Sequence, residues 1–244
     1  MGLVKQDTSV TVLYGENFMK NDTQKTAIKH TAMLTIRKIL FLILMFTGIP
    51  AVLHAHPHVF IKNSVQFVWN DEGNLQGAYL TWNFDRFFSA DIIKWLDADH
   101  DGAFSAAESE EVYNHAFINL RHYYYYTFIR QGTKRTNPPS VSKFKATQKD
   151  GIMTYRFYID LSKYPGRDLY LAVYDYTYFC DVEYPDNCVT FSCPSSVQPS
   201  YKIVENRKYP VYYDPLSPAT DTRIYYKWAP GLQTYYPMEI HLTW

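Results

Sequence analysis

Residues 97–108 constrain this chain most strongly, because twelve consecutive positions match the pattern of an EF-hand calcium loop. Calcium takes about six to eight oxygen ligands, which such a loop supplies from its positions 1, 3, 5, 7, 9 and 12. Gly102 occupies position 6, where the backbone must turn sharply. The predicted ligands are Asp97, Asp99, Asp101, Ala103 through its carbonyl, Ser105 through a water, and Glu108. The spacing predicts a calcium cofactor, bound weakly and in a structural role.

The residues before the loop predict an entering helix over positions 90–96. Ser89 is the expected N-cap, and Asp91 is expected to face the positive end of the helix dipole. Phe88 and Ile93 are expected to pack together as a hydrophobic staple.

The residues after the loop predict an exiting helix. Apolar residues recur at spacings of four, three and four, which form one stripe on a helix; they are Tyr113, Phe117, Leu120 and Tyr124. Together with the entering helix, they predict an EF-hand-type helical insert over residues 89–123.

A secretory signal peptide is expected over residues 33–55. Arg37 and Lys38 precede an apolar run over residues 39–46, and a small-residue cleavage site follows at Ala55. The apolar run is shorter than the roughly 20 residues that span a bilayer. The protein is therefore expected to be periplasmic and, after cleavage, not membrane-spanning. Residues 1–32 are expected to be an over-extended start.

The remaining residues, 56–244, are expected to form one domain. The formal net charge of the full chain is +0 and no basic stripe runs along it, so nucleic acid is not an expected partner. Motifs of serine hydrolases, phosphate-binding loops and zincins are absent. Asp85, Asp91 and Asp175 are expected to be helix caps or hydrogen-bond acceptors. The chain is not expected to be an enzyme.

Strand-like segments dominate outside the helical insert. Residues 59–69 and 75–84 alternate with period two around a turn, which predicts a β-hairpin. A run of strands with one inserted helical pair predicts an α+β fold, mostly antiparallel and sandwich-like. Further strands are predicted at 124–130, 143–147, 153–159, 169–176, 189–191, 201–204 and 237–244.

Three cysteines, Cys180, Cys188 and Cys193, lie close together in a turn-rich segment. In an oxidising compartment, this predicts one disulfide and one free thiol, with the pairing open among three possibilities. A thiolate metal site is the alternative, although the spacing lacks the usual Cys-x-x-Cys pattern.

Cleavage after Ala55 would place His56-Pro57-His58 at the new N-terminus. The α-amine and ring of His56 and the ring of His58 could together give a metal three nitrogens, which suits nickel, zinc or copper. Pro57 has no N–H, so a site using deprotonated backbone amides is excluded. A fourth ligand is unassigned among His115, His122, His241 or a carboxylate. The alternative is that both histidines merely begin the first strand.

The chain resembles a bacterial family of unknown function that is labelled as the periplasmic component of an uncharacterised ABC-type transport system. The resemblance rests on the signal peptide, the segment from His56 to Ile61, the segment from Trp82 to Asp91, and the acidic loop, and it covers most of residues 33–176. It implies a periplasmic protein that is often encoded near nickel/cobalt-type permeases. The alternating strand–helix pattern of ordinary solute-binding proteins is missing.

Three functional hypotheses follow. The first is a periplasmic, calcium-binding, non-enzymatic accessory of nickel, cobalt, zinc or copper transport, with an inner-membrane metal permease as partner. The second is a calcium-stabilised interaction or structural module of the envelope that binds no transition metal. The third, an oxidative copper enzyme built on a terminal histidine, requires a second, distant histidine ligand.

Overall fold

A computed structural model of the protein describes Met33 and residues 35–38, 56–218, 220–221 and 223–244. Met33 and residues 35–38 are helical. The predicted over-extended start at 1–32 and the remainder of the predicted signal peptide at 33–55 lie outside the described residues. Among the residues that are described, no helix combines the length and apolar character needed to cross a membrane.

The described residues of the unit His54–Trp244 form thirteen strands and two α-helices. The helices are α1 (Arg86–Leu96) and α2 (Ala106–His115). The strands are β1 (Val59–Trp69), β2 (Leu75–Phe84), β3 (Thr127–Gln131), β4 (Lys134–Thr136), β5 (Ser142–Lys149), β6 (Ile152–Asp160), β7 (Asp168–Val173), β8 (Cys180–Glu183), β9 (Val189–Ser192), β10 (Ser200–Glu205), β11 (Val211–Tyr213), β12 (Gln233–Tyr235) and β13 (Met238–Thr243).

The strands form two main sheets and one small one. The first sheet has the order β5-β6-β2-β1. The edge of β1 that faces away from β2 is paired with both β8 and β9. The pairings with β8 and β9 are parallel, and the others in this sheet are antiparallel. The second sheet, β10-β13-β7-β3-β4, is antiparallel throughout. Strands β11 and β12 form a separate antiparallel pair.

One hydrophobic core includes side chains from both main sheets. Along β1 the odd-numbered residues are buried, as the period of a strand requires. Trp82 and Phe157 from the first sheet and Leu171 and Ile240 from the second belong to the same buried cluster. The mostly antiparallel architecture with a few helices confirms the predicted α+β class.

The second sheet also buries part of its opposite face. Phe128 of β3 and Tyr174, just after β7, pack with Val211 of β11 in a second cluster. The ring centroids of Phe128 and Tyr174 are 4.4 Å apart. The small β11–β12 pair therefore contributes to the cover of this face.

Helix α1 begins four residues earlier than the sequence predicts. Its N-cap is Asp85, whose Oδ1 accepts hydrogen bonds from the backbone N–H groups of Phe87 (2.8 Å) and Phe88 (3.0 Å). Ser89, the predicted cap, is buried within the helix, and its Oγ accepts a hydrogen bond from the Met153 N–H of β6 (3.0 Å). Asp91 lies in the middle of the helix. The helix begins earlier because the Asp85 side chain accepts hydrogen bonds from two backbone N–H groups of the first turn, which have no partner within the helix.

Helix α2 ends at His115, before the predicted limit near residue 123. The chain continues in short 3₁₀ turns over Phe117–Tyr126, and Tyr124 and Tyr125 have φ angles of +58° and +50°. Phe117 remains fully buried, with its ring centroid 4.4 Å from that of Phe144. The chain must then turn into β3, which begins at Thr127 and not at 124. This change of direction is incompatible with a continuous helix.

Most predicted strands are present, with shifted ends. The predicted hairpin corresponds to β1 and β2 with the same bounds. Four strands were not predicted: β4, β8, β11 and β12. They have three or four residues each, which is too short for a period-two pattern to stand out.

Asp85→Ala should lower the free energy of unfolding by about 1–3 kcal/mol, because it removes the N-cap of α1 and the acceptor of the Phe60 N–H (2.9 Å). Urea unfolding at neutral pH measures this loss. Asp91→Ala is the matched control, because Asp91 is exposed on the same helix, and its effect should stay within about 0.5 kcal/mol. Equal losses in the two variants would contradict the capping role.

Candidate functional site

The acidic loop and its two flanking helices are held against hairpin β5–β6 by three side-chain hydrogen bonds. Ser89 of α1 accepts from the Met153 N–H, and Ser109 of α2 accepts from the Ala146 N–H (2.8 Å). Gln148 of β5 donates from Nε2 to Asp97 Oδ2 (2.8 Å). These contacts position the loop from both helices and from the sheet. Sequence reasoning did not identify them, because each joins residues more than thirty positions apart.

Three of the predicted calcium ligands converge. Asp97, Asp99 and Glu108 each offer a carboxylate oxygen, and these three atoms lie within 4.8 Å of one another. Asp97 is only 3% exposed, and its Oδ1 is buried without a hydrogen-bond partner. Its Oδ2 also accepts from the Gly102 N–H (3.3 Å), which closes the turn where Gly102 has φ +81°. A buried, unpartnered carboxylate oxygen costs free energy unless a cation or donor reaches it.

Glu108 is held in its ionised form by backbone donors. Its two oxygens accept from the N–H groups of Ser105 (2.8 Å) and Ala98 (2.7 Å). These hydrogen bonds, that of Ser105 first, lower the pKa of Glu108. The ion pairs found among the described residues include none of the three converging carboxylates. The cluster is therefore a concentrated negative charge without a countercharge from the described chain.

The other three predicted ligands serve the local backbone. Asp101 Oδ1 accepts from the Ala103 N–H (2.7 Å), and Ser105 Oγ accepts from the Glu108 N–H (3.2 Å) as the N-cap of α2. Asp101, the only carboxylate among these three residues, does not belong to the converging group.

His56 and His58 are brought together immediately before β1. Their ring centroids are 4.7 Å apart, and His56 is only 6% exposed. His56 Nε2 lies 2.6 Å from Ser217 Oγ, a contact that sequence reasoning did not identify. His56 Nδ1 and His58 Nε2 are buried without hydrogen-bond partners. The pair therefore has two nitrogens that no described residue satisfies.

Burial lowers the pKa of His58, and the nearby His56 lowers it further. The His58 imidazole is consequently neutral near pH 7, which is the form that binds metals.

The histidines considered as a fourth ligand have other partners. His115 Nε2 lies 2.9 Å from Glu111 Oε2, and His241 Nε2 lies 2.9 Å from Asp168 Oδ2. His122 Nε2 accepts from Arg121 Nε (3.2 Å). Within the described residues, no third His, Cys, Asp or Glu joins the His56/His58 pair in a close group.

Asp175 is a buried hydrogen-bond acceptor. It is 1% exposed and accepts from the Thr177 N–H (2.9 Å), the Thr177 hydroxyl (2.8 Å) and the Cys180 N–H (3.2 Å). Burial raises its pKa. With Asp85 acting as a helix cap, both carboxylates serve the backbone around them.

The predicted disulfide is wrong, because all three cysteines are free. Cys180 is paired with Val59 of β1, whereas Cys188 precedes β9, whose Val189 is paired with Val65. Because the pairing is parallel, Cys188 is level with Ser64, five residues along β1 from Val59, so Cys180 and Cys188 are about 16 Å apart. Cys188 and Cys193 bound the extended strand β9 and are about 16 Å apart. A disulfide requires Cα atoms within about 7 Å. The same separations exclude a shared thiolate metal site.

The fold and site define an α+β domain with an acidic helix–loop–helix packed on its first sheet. Residues 41–244 match the family described as "Protein of unknown function (DUF1007)", and the chain belongs to this family. The match includes the cysteine segment, which the sequence-based resemblance over residues 33–176 did not reach.

A curated relative from Spirochaeta aurantia is called "Uncharacterized 15.5 kDa protein in trpE 3'region". It is 39% identical over 93 residues, which are 34% of this chain and 64% of that protein.

All three thiols should react with a thiol reagent after unfolding without reductant, because the strand geometry keeps them apart. Mass spectrometry of the alkylated protein should count three labels. In the folded protein, Cys193 should react first, since Cys180 and Cys188 are buried. A single label after unfolding would restore the disulfide prediction.

Proposed function

We propose that this protein is a calcium-binding, non-enzymatic periplasmic accessory of transition-metal transport. The observation that carries the proposal is the buried, unpartnered Oδ1 of Asp97, which belongs to a carboxylate group with Asp99 and Glu108. The periplasmic location rests on the signal peptide predicted at 33–55. The link to an inner-membrane nickel, cobalt, zinc or copper permease rests on the sequence resemblance.

Calcium fits the acidic loop by both charge and ligand type. A hard divalent cation prefers carboxylate and carbonyl oxygens, and three carboxylates already converge within 4.8 Å. Asp97, Asp99 and Glu108 would hold the ion, and Asp101, Ala103 and Ser105 would complete its oxygen shell. The bound ion would offset most of the negative charge of the cluster and join α1 to α2. Since Gln148 connects Asp97 to β5, the stabilisation would extend to the first sheet.

A transition metal fits the His56/His58 pair by ligand type. Two buried imidazole nitrogens without partners, on rings 4.7 Å apart, are soft enough for nickel, zinc or copper. If export produces a chain that begins at His56, its α-amine would supply a third nitrogen. The absence of a further close ligand among the described residues favours exchangeable binding, as capture and delivery of an ion require.

Calcium at about 5 mM should raise the free energy of unfolding by about 1–2 kcal/mol if the loop has the weak affinity expected outside the cytosol, Kd about 10⁻⁴–10⁻³ M. The melting temperature should rise by about 2–8 °C. Asp97→Asn should abolish this rise, because it removes a charge from the buried ligand while keeping the side-chain shape. Differential scanning calorimetry with and without calcium measures the rise in melting temperature in the wild type and its loss in the variant.

Asp71→Asn is the matched control, because Asp71 is exposed in the β1–β2 turn and the change in charge is the same. This variant should keep the full calcium response. A calcium response that survives Asp97→Asn, or is lost equally in Asp71→Asn, would refute the proposed site.

The chain beginning at His56 should bind one nickel, zinc or copper ion, as measured by native mass spectrometry and isothermal titration calorimetry. His56→Ala and His58→Ala should each weaken binding by about tenfold or more, since each removes one nitrogen ligand. Retaining Ala55 at the N-terminus should also weaken binding, because it moves the α-amine away from His56.

His115→Ala is the control, because His115 is exposed and paired with Glu111. Unchanged affinity in both His56→Ala and His58→Ala would exclude this metal site and leave calcium binding unaffected.

The second candidate is an envelope interaction module that binds calcium alone. Two large aromatic side chains of α1, the helix that leads into the acidic loop, are exposed: Phe87 at 88% and Trp95 at 77%. Such residues are typical of contact surfaces. This candidate gains support if calcium raises the melting temperature and no transition metal binds.

A further inference from the structure

Arg135 lies on the edge strand β4 with its guanidinium among aromatic rings. The guanidinium carbon is 4.2 Å from the ring centroid of Phe128 and 4.3 Å from that of Tyr209. The rings of Tyr174 and Tyr176 follow at 5.4 and 5.5 Å. Contacts of this kind hold a cation by attraction to the ring faces. The guanidinium is therefore held in place before any ligand arrives.

The charge of Arg135 has no countercharge among the described residues. Arg135 donates a hydrogen bond to the Tyr174 hydroxyl, and it belongs to none of the ion pairs in the described chain. Arg130 provides the contrast: it lies over Tyr170 at 3.5 Å and also forms an ion pair with Glu239 (2.7 Å). The Arg135 guanidinium thus keeps N–H donors for an acceptor from outside the protein.

Arg135 lines a cavity of about 220 Å³ together with Lys208 and several tyrosines. The tyrosines are Tyr176, Tyr209, Tyr212, Tyr225 and Tyr226. Of the described residues around this cavity, none is Asp or Glu. Two cations with aromatic walls and no acid form an environment that selects anions.

We propose that this cavity is a binding site for a small acidic sugar, a monosaccharide that carries a carboxylate or a phosphate. A planar guanidinium binds either oxyanion through two parallel hydrogen bonds, and Lys208 adds a second charge. Pockets for drug-sized ligands have volumes of about 300–1,000 Å³, so the smaller volume of this cavity suits a single ring. Tyrosine faces would pack against the sugar ring, and tyrosine hydroxyls would bond its hydroxyl groups. The cavity shares no lining residue with either proposed metal site.

The test is isothermal titration of the calcium-loaded protein with galacturonate, glucose 6-phosphate, glucose and inorganic phosphate. At least one of the two acidic sugars should bind saturably, and the preferred one identifies the oxyanion. Glucose and inorganic phosphate should bind at least about tenfold more weakly than the preferred acidic sugar. Glucose lacks the oxyanion and inorganic phosphate lacks the sugar ring. Arg135→Gln should weaken binding of the acidic sugar by about tenfold or more.

Arg121→Gln is the matched control, since it removes the same charge from an exposed position outside the cavity, and it should bind normally. Lys208→Gln provides a second variant whose exposed side chain can be changed without disturbing the fold, and it should also weaken binding. The proposal is overturned if neither acidic sugar binds, if glucose binds equally well, or if both cavity variants retain the affinity of the wild type.

Discussion

The rest of the structure depends on the hydrogen bonding of strand β1. One edge of β1 is paired antiparallel with β2, and the other edge is parallel to β8 and then to β9. At its start, the Phe60 N–H donates to Asp85 Oδ2, and the Asp85 N–H donates to the Phe60 carbonyl, both at 2.9 Å. The residue that caps α1 is thereby attached to the central strand. Because β1 begins directly after His58, the same pairing also positions the histidine pair.

Both candidate metal sites share a physical feature: buried polar atoms for which the described chain provides no partner. Asp97 Oδ1 in the acidic loop and the nitrogens His56 Nδ1 and His58 Nε2 are of this kind. An unsatisfied buried polar group costs about 1–3 kcal/mol, and a charged group costs more. A bound cation removes this cost, so ion binding and stability are coupled at such positions. The two sites differ in ligand type, since oxygens favour calcium and imidazoles favour transition metals.

Arg130 and Arg135 show how the same residue type can have two roles on one sheet. Both lie against aromatic rings, but only Arg130 is neutralised by a carboxylate, Glu239, which is buried and also accepts from Asn206 (2.6 Å). Arg130 is therefore part of the internal packing between β3 and β13. Arg135, without such a partner and beside a cavity, retains a charge that can attract a ligand.

The sequence by itself determined the features that depend on neighbouring residues. Alternation predicted the bounds of β1 and β2, and spacing identified the acidic loop, of which Asp97, Asp99 and Glu108 converge. Only the tertiary structure decided the attachment of Asp85 to Phe60 of β1, the separation of the cysteines and the surroundings of Arg135. These features arise from contacts between distant segments, such as β8 and β9 beside β1, or β4 beside the turn before β11. Periodicity along a chain carries no information about which distant strands will pair, because pairing depends on the burial of the whole core.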